Sequence, residues 1–95
     1  MMKQARKMQA ELEKAQDELV FLTAEASAGG GAIKVVASGD QRIQSITIDP
    51  SAVDPDDVEM LQDLVLAAVN DALNQATELA DARMSALAGG LNLPF

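Results

Sequence analysis

A heptad seam at the start of the chain constrains the fold more than any other feature. Ala5, Met8, Leu12, Ala15, Leu19 and Leu22 recur at spacings of three and four. That is the narrow apolar stripe of a helix that lies along another helix. On the far side of the same helix, Lys3, Lys7 and Lys14 fall close together on a helical wheel, with Arg6 at the flank. Four of the seven basic residues therefore sit in the first fourteen positions of a chain whose net charge is −8. The positive charge is gathered on one helix, and that helix calls for a partner.

Ninety-five residues make one domain. A chain of this length buries only about 60–65% of its unfolded surface and gains from association. Two long helices with apolar faces are hard to cover in one small protomer, so a homodimer is expected. The candidate dimer residues are Met8, Leu12, Ala15, Leu19 and Leu22 of the first helix, with Leu61 and Val65 of the second.

The pattern predicts a first helix from about Met2 to Phe21, free of Gly and Pro. Thr23 to Ala28 alternates polar with small apolar residues and reads as a strand. Gly29-Gly30-Gly31 is a turn, and Ala32 to Ser38 a second strand with Ile33, Val35 and Ala37 on one face. After a turn at Gly39-Asp40, a third strand runs from Arg42 to Asp49. Ile46 and Ile48 share a face there, and Ile43 is out of phase, which points to a bulge or the strand entrance. Asp54 is read as an N-cap with Pro55 at the first helical position. The second helix extends from Pro55 to about Ala88, with a main stripe of Val58, Leu61, Val65, Ala68, Ala72, Ala76 and Leu79, and Gly89-Gly90 ends it. The result is an α+β fold: a two-layer α-β-β-β-α protomer with a three-stranded antiparallel meander and two long helices, dimeric. Residues 1–90 form the single domain and residues 91–95 a short C-terminal tail.

Several chemistries lack their usual groups. The chain has no His, Cys, Tyr or Trp, and no Ser lies in a nucleophile-elbow pattern. No enzyme activity, cofactor, metal or small-molecule substrate is expected. The acids Asp54, Asp56, Asp57, Glu59 and Asp63 lack the glycine and ligand order of a calcium loop. They suit a helix N-terminus better, where they complement the dipole. The triple glycine is followed by Ala32-Ile33 rather than the Lys-Ser or Lys-Thr of a phosphate loop. Charges interrupt the N-terminus, unlike a signal peptide. The longest apolar run, Leu64 to Val69, is far short of the ~20 residues of a membrane span. A cytoplasmic protein with no membrane partner is expected.

The basic face of the first helix carries the functional weight. One reading is phosphate contact, in which Lys and Arg displace counterions from a nucleic-acid backbone. The other is a solvated face tempered by neighbouring carboxylates, such as Lys7 with Glu11. The residues alone leave both open. With no aromatic platform for single strands and no base-reading set, any DNA contact would be to the backbone, with weak sequence preference.

The order and spacing of several segments are more specific. They are Met2-Lys3-Gln4-Ala5 and Met8-Gln9 on the first helix, Gly31-Ala32-Ile33-Lys34-Val35, and Ile48-Asp49-Pro50-Ser51. The longest runs from Met60-Leu61-Gln62-Asp63-Leu64-Val65 through Ala68, Asn70, Asp71 and Ala72, and the last is Pro94-Phe95. Across essentially its whole length the chain resembles the YbaB/EbfC family of bacterial nucleoid-associated proteins. The resemblance implies a homodimer whose helices project as a tweezer-like pair. It also implies double-stranded DNA as partner, a place in the nucleoid, and a role in nucleoid organisation and gene regulation. Lys3 falls on the family motif; Arg6, Lys7 and Lys14 follow from the helical wheel, and Arg83 is a weaker DNA-binding candidate. Gln44, Ser45, Asn74 and Gln75 stand where members often carry basic residues. The alternative is an acidic dimeric protein–protein adaptor without direct DNA contact, which the overall charge favours.

Overall fold

Nothing between Met2 and Glu18 breaks a helix, and helix α1 occupies those seventeen residues. The computed structural model describes residues 2–90. After α1 the backbone tightens into a 3-10 turn over Leu19–Phe21. β-branched Val20 and aromatic Phe21 are poorer helix formers. The Leu19 carbonyl there accepts from Leu22 N at 3.2 Å and from Gly39 N at 3.0 Å. The first helix is therefore α-helical to Glu18 and completes the expected span to Phe21 as 3-10.

Strands β1 (Thr23–Ala28), β2 (Ile33–Ser38) and β3 (Arg42–Ile48) follow. They form one antiparallel sheet in the order β1-β2-β3. Gly29, Gly30 and Gly31 between β1 and β2 have φ of 63°, 70° and 93°. Three successive residues in the left-handed region are tolerated only by glycine. The β2–β3 turn spans Gly39 to Gln41, and its left-handed residue is Gln41 at φ 67°. Gly39 serves a different purpose: a Cβ there would lie 3.1 Å from the Leu19 carbonyl oxygen and 3.3 Å from Ala80 Cβ.

In β3, Ser45 pairs with Val36 but Ile43 pairs with Ala37, which leaves Gln44 as the extra residue of a bulge. The out-of-phase Ile43 is thereby returned to the face shared by Ile46 and Ile48. The Gln44 side chain donates to the Val20 carbonyl at 3.0 Å.

A second 3-10 turn, Pro50–Ala52, leads into helix α2, Val58–Gly90. The start of α2 differs from the sequence expectation. Asp54 is not its N-cap. Asp54 Oδ1 accepts from Asp56 N at 2.9 Å and its carbonyl from Asp57 N at 3.0 Å, forming a turn with Pro55 second. The cap is Asp57, whose Oδ1 accepts from Met60 N at 3.2 Å. The fixed φ of proline suits the second position of a turn as well as the first of a helix, so sequence alone favoured the earlier start. At its other end α2 continues through Gly89 to Gly90 rather than stopping before them. Residues 91–95, read as a tail, lie outside the described residues.

One face of α2 lies on β1 and β2. Ala68, Ala72 and Ala76 meet Ala24, Ala26, Ile33, Val35 and Ala37, all buried. The sheet-facing stripe departs from expectation at its ends. Val58 and Leu79 are exposed, and Ala80 is buried in place of Leu79. Alanine on both layers lets helix and sheet approach closely but fills little volume: the largest fully buried side chains are Ile33, Val35 and Ser38. With 33 residues, α2 is a rod of about 50 Å. The molecule measures 65 × 21 × 16 Å with a radius of gyration of 18.3 Å, against about 13 Å for a compact chain of this size.

Candidate nucleic-acid interface

Helix α1 runs back along the last third of α2. Glu18 meets Arg83 at 3.2 Å, and further towards the α1 N-terminus Glu11 shares a cleft with Leu87. The two helices are therefore antiparallel. The cleft, about 190 Å³, is lined by Glu11, Lys14, Ala15, Glu18, Arg83 and Leu87. Ala15 is buried at its floor. Along the same face Met8, Leu12, Leu19 and Leu22 are half-buried. The heptad seam is thus partly occupied within one protomer.

Away from that seam, Lys3, Arg6, Lys7 and Lys14 are all exposed. Among the described residues, none of the four lies within ion-pair distance of a carboxylate. Two of the four acids of α1 have other partners: Glu13 accepts from Gln9 at 3.4 Å, and Glu18 accepts from Arg83. Lys3, Lys7 and Lys14 form a stripe down one side of the helix, with Arg6 beside it. Among the described residues, Arg83 is the one basic candidate that holds an ion pair, and it lines the α1–α2 cleft. The other two basic residues stand apart. Arg42 lies 3.7 Å from Asp40, and Lys34 is on the outward face of the sheet.

The acidic half of the molecule is distant from this stripe. Glu59 and Arg83 are twenty-four residues apart on one helix, about 36 Å. That is several Debye lengths at physiological salt. The acids around the start of α2 are consequently screened from the α1 stripe, and the net charge of the chain does not set the local potential there. Asp54 and Asp57 are engaged with backbone N–H groups. Asp49 accepts from both the backbone and hydroxyl of Ser51, each at 2.9 Å, which holds its carboxyl below the ordinary aspartate range.

The candidate dimer residues fall into two separate places. Met8, Leu12, Ala15, Leu19 and Leu22 lie along α1 and the turn after it, with Ala15 in the cleft against α2, whereas Leu61 and Val65 line a groove at the opposite end. Sequence reasoning did not single out the other wall of that groove, Ile48, or the exposure of Ile43 and Ile46 beside it on β3. Their alternation was legible, but it could not say that α2 would leave them uncovered. No described helix is long and apolar enough to cross a membrane.

Comparison with known proteins shows the family of the chain and a likeness of fold. A nucleoid-associated protein of Ruminiclostridium cellulolyticum is 60% identical over 91 residues, covering 96% of this chain and 79% of the relative. One of Desulforamulus reducens is 62% identical over 94 residues, covering 99% and 90%. A crystal structure of an uncharacterised Helicobacter pylori protein superposes with a TM-score of 0.63 at 23% identity, covering 78% of this chain and 86% of that one, a likeness of fold. The sequence profile of the YbaB/EbfC DNA-binding family matches residues 1–91, and the chain belongs to that family.

Proposed function

We propose that this chain is a homodimeric, nucleoid-associated protein of the cytoplasm that holds double-stranded DNA mainly through backbone phosphates. Sequence preference is weak, and the role is nucleoid organisation and gene regulation. The observation that carries the reading is the α1 stripe. Lys3, Arg6, Lys7 and Lys14 are exposed, free of ion pairs among the described residues, and far from the acidic end of the molecule. Family membership and the names of the close relatives support DNA as the partner.

Long, unpaired cations on a straight helix suit phosphates spaced along a duplex. They carry no directional hydrogen-bond pattern of the kind that distinguishes base edges. A dimer offers eight such side chains. Arg83, tied to Glu18, contributes at the margin of the site.

The test is fluorescence anisotropy of a labelled duplex of about 20–30 base pairs, titrated at several salt concentrations. Micromolar or tighter binding with a steep negative salt slope, abolished by neutralising the four α1 cations, supports the reading. An intact dimer that fails to bind even at low salt would instead favour the adaptor.

A further inference from the structure

We propose that the α1–α2 cleft is a phosphate seat held shut by Glu18, an autoinhibitory contact that withholds Arg83 from duplex DNA. The inference rests on the DNA-binding reading above and concerns the regulation of that same site.

The helical repeat places Glu11 and Glu18 between the lysine stripe and the apolar seam of α1. Lys14 belongs to the stripe and also lines the cleft, with Arg83 on the α2 wall. A sugar–phosphate backbone that follows Lys3 and Lys7 along the helix therefore arrives at Lys14, at the mouth of the cleft that holds Arg83. Glu18 is one helical turn beyond Lys14 and takes the Arg83 guanidinium at 3.2 Å.

The charged residues of the cleft are Glu11, Lys14, Glu18 and Arg83, two of each sign. In this closed state the cleft has no net charge to offer an anion. Its two donors are nonetheless those suited to phosphate: an ammonium as a point charge and a planar guanidinium that matches two oxygens at once. A carboxylate and a phosphodiester present a similar pair of oxygens to that guanidinium, so Glu18 occupies the place of the ligand. The cleft volume of about 190 Å³ holds a phosphate group with several waters, each taking about 30 Å³.

The closure is graded rather than absolute. The Arg83 and Glu18 side chains are 46% and 38% exposed, so water and salt compete with the pair. Among the described residues, Ala15 is the one buried residue of α1, and the 3-10 turn Leu19–Phe21 follows the helix directly. The Glu18 end of α1 is thus free to shift without uncovering a core. Losing the Glu18 carboxylate would leave Lys14 and Arg83 together beside the stripe and add one phosphate contact to each protomer.

The test separates this contact from bulk charge. Glu18→Ala and Asp17→Ala remove the same charge from adjacent positions of α1, but only Glu18 meets Arg83. Glu18→Ala/Arg83→Gln restores the net charge of the wild type. Each full-length variant is titrated into the same labelled duplex at several salt concentrations. Glu18→Ala should tighten binding by about three- to tenfold and steepen the log–log salt slope by about two units, one new contact per protomer of a dimer. Asp17→Ala should change affinity by less than about twofold, and the double variant should return to within about twofold of the wild type. Weaker binding by Glu18→Ala with its helical circular dichroism retained would make the pair a brace for α1. An equal gain from Asp17→Ala would assign the effect to bulk charge, and a gain that persists in the double variant would remove Arg83 from the contact. Each of these three results overturns the closed seat and leaves DNA binding standing. A wild type and a Glu18→Ala variant that both fail to bind at low salt overturn the two readings together.

Discussion

The Arg83 guanidinium donates to the Glu18 carboxylate at 3.2 Å, joining the last turn of α1 to the final third of α2. Both side chains are partly exposed, so the pair contributes at most about 1 kcal/mol. Its larger effect is to occupy a cation that would otherwise face a polyanion. Arg83→Gln should therefore reduce duplex affinity less than Lys7→Gln does, in parallel anisotropy titrations. A larger loss from Arg83→Gln would move the DNA contact into the cleft.

Phosphate contact has a salt signature. If a dimer contacts about six phosphates, the log–log dependence of affinity on salt has a slope near −5. Lys7→Gln removes one contact from each protomer and should flatten the slope by about two units. Lys7→Glu should weaken binding to duplexes of unrelated sequence by the same factor. A sequence-dependent loss would indicate base contact.

Gly30 isolates the backbone cost of the β1–β2 turn. A Cβ at this position meets nothing within 4 Å, yet φ is +70°. Gly30→Ala should destabilise by about 1–2 kcal/mol through conformation alone, seen as a fall in Tm of several degrees by thermal circular dichroism. An unchanged Tm would mean that the turn relaxes at no cost.

The helix start can be located by substitution. Asp57→Ala removes the acceptor for Met60 N and should cost about 1 kcal/mol in urea denaturation. Asp54→Ala loses only a bond within the preceding turn and should cost less. The reverse order would place the cap at Asp54.

Asp49 gives a pH dependence of fixed sign. Hydrogen bonds from Ser51 lower its pKa in the folded state, so the unfolded chain takes up the proton first as the solution is acidified. The stabilisation is fully present above the ordinary aspartate value of about 3.9 and is lost as pH falls through the lower, folded value. Asp49→Asn should flatten that part of the acid limb in urea denaturation below about pH 5. An unaltered limb would assign the acid response to other carboxylates.

Local signals carried most of the fold. The alternation in Thr23–Ala28 locates β1 to the residue, and the phase error at Ile43 marks the bulge that Gln44 makes. Such features depend on neighbours a few positions apart. The α2 boundaries were less legible, because Pro55 fits a turn and a helix start equally, and two glycines can remain helical. For the candidate site, the α1 stripe was visible on the helical wheel, but the engagement of Arg83 was not. Glu18 is sixty-five residues away in sequence, and only tertiary packing brings them together. The bare face of β3 was hidden for the same reason: periodicity says which residues share a side, not how far a helix reaches across it.

The alanines between α2 and the sheet also act as a fulcrum. A helix resting on methyl groups has little compliance beneath it, and from Ala76, the last of the core alanines, to Arg83 the rod runs on for about 10 Å. Any side chain that raised α2 at Ala68, Ala72 or Ala76 would tilt that arm and swing α1 with it. The spacing at which the lysines meet a surface is thus gauged by residues that touch no ligand.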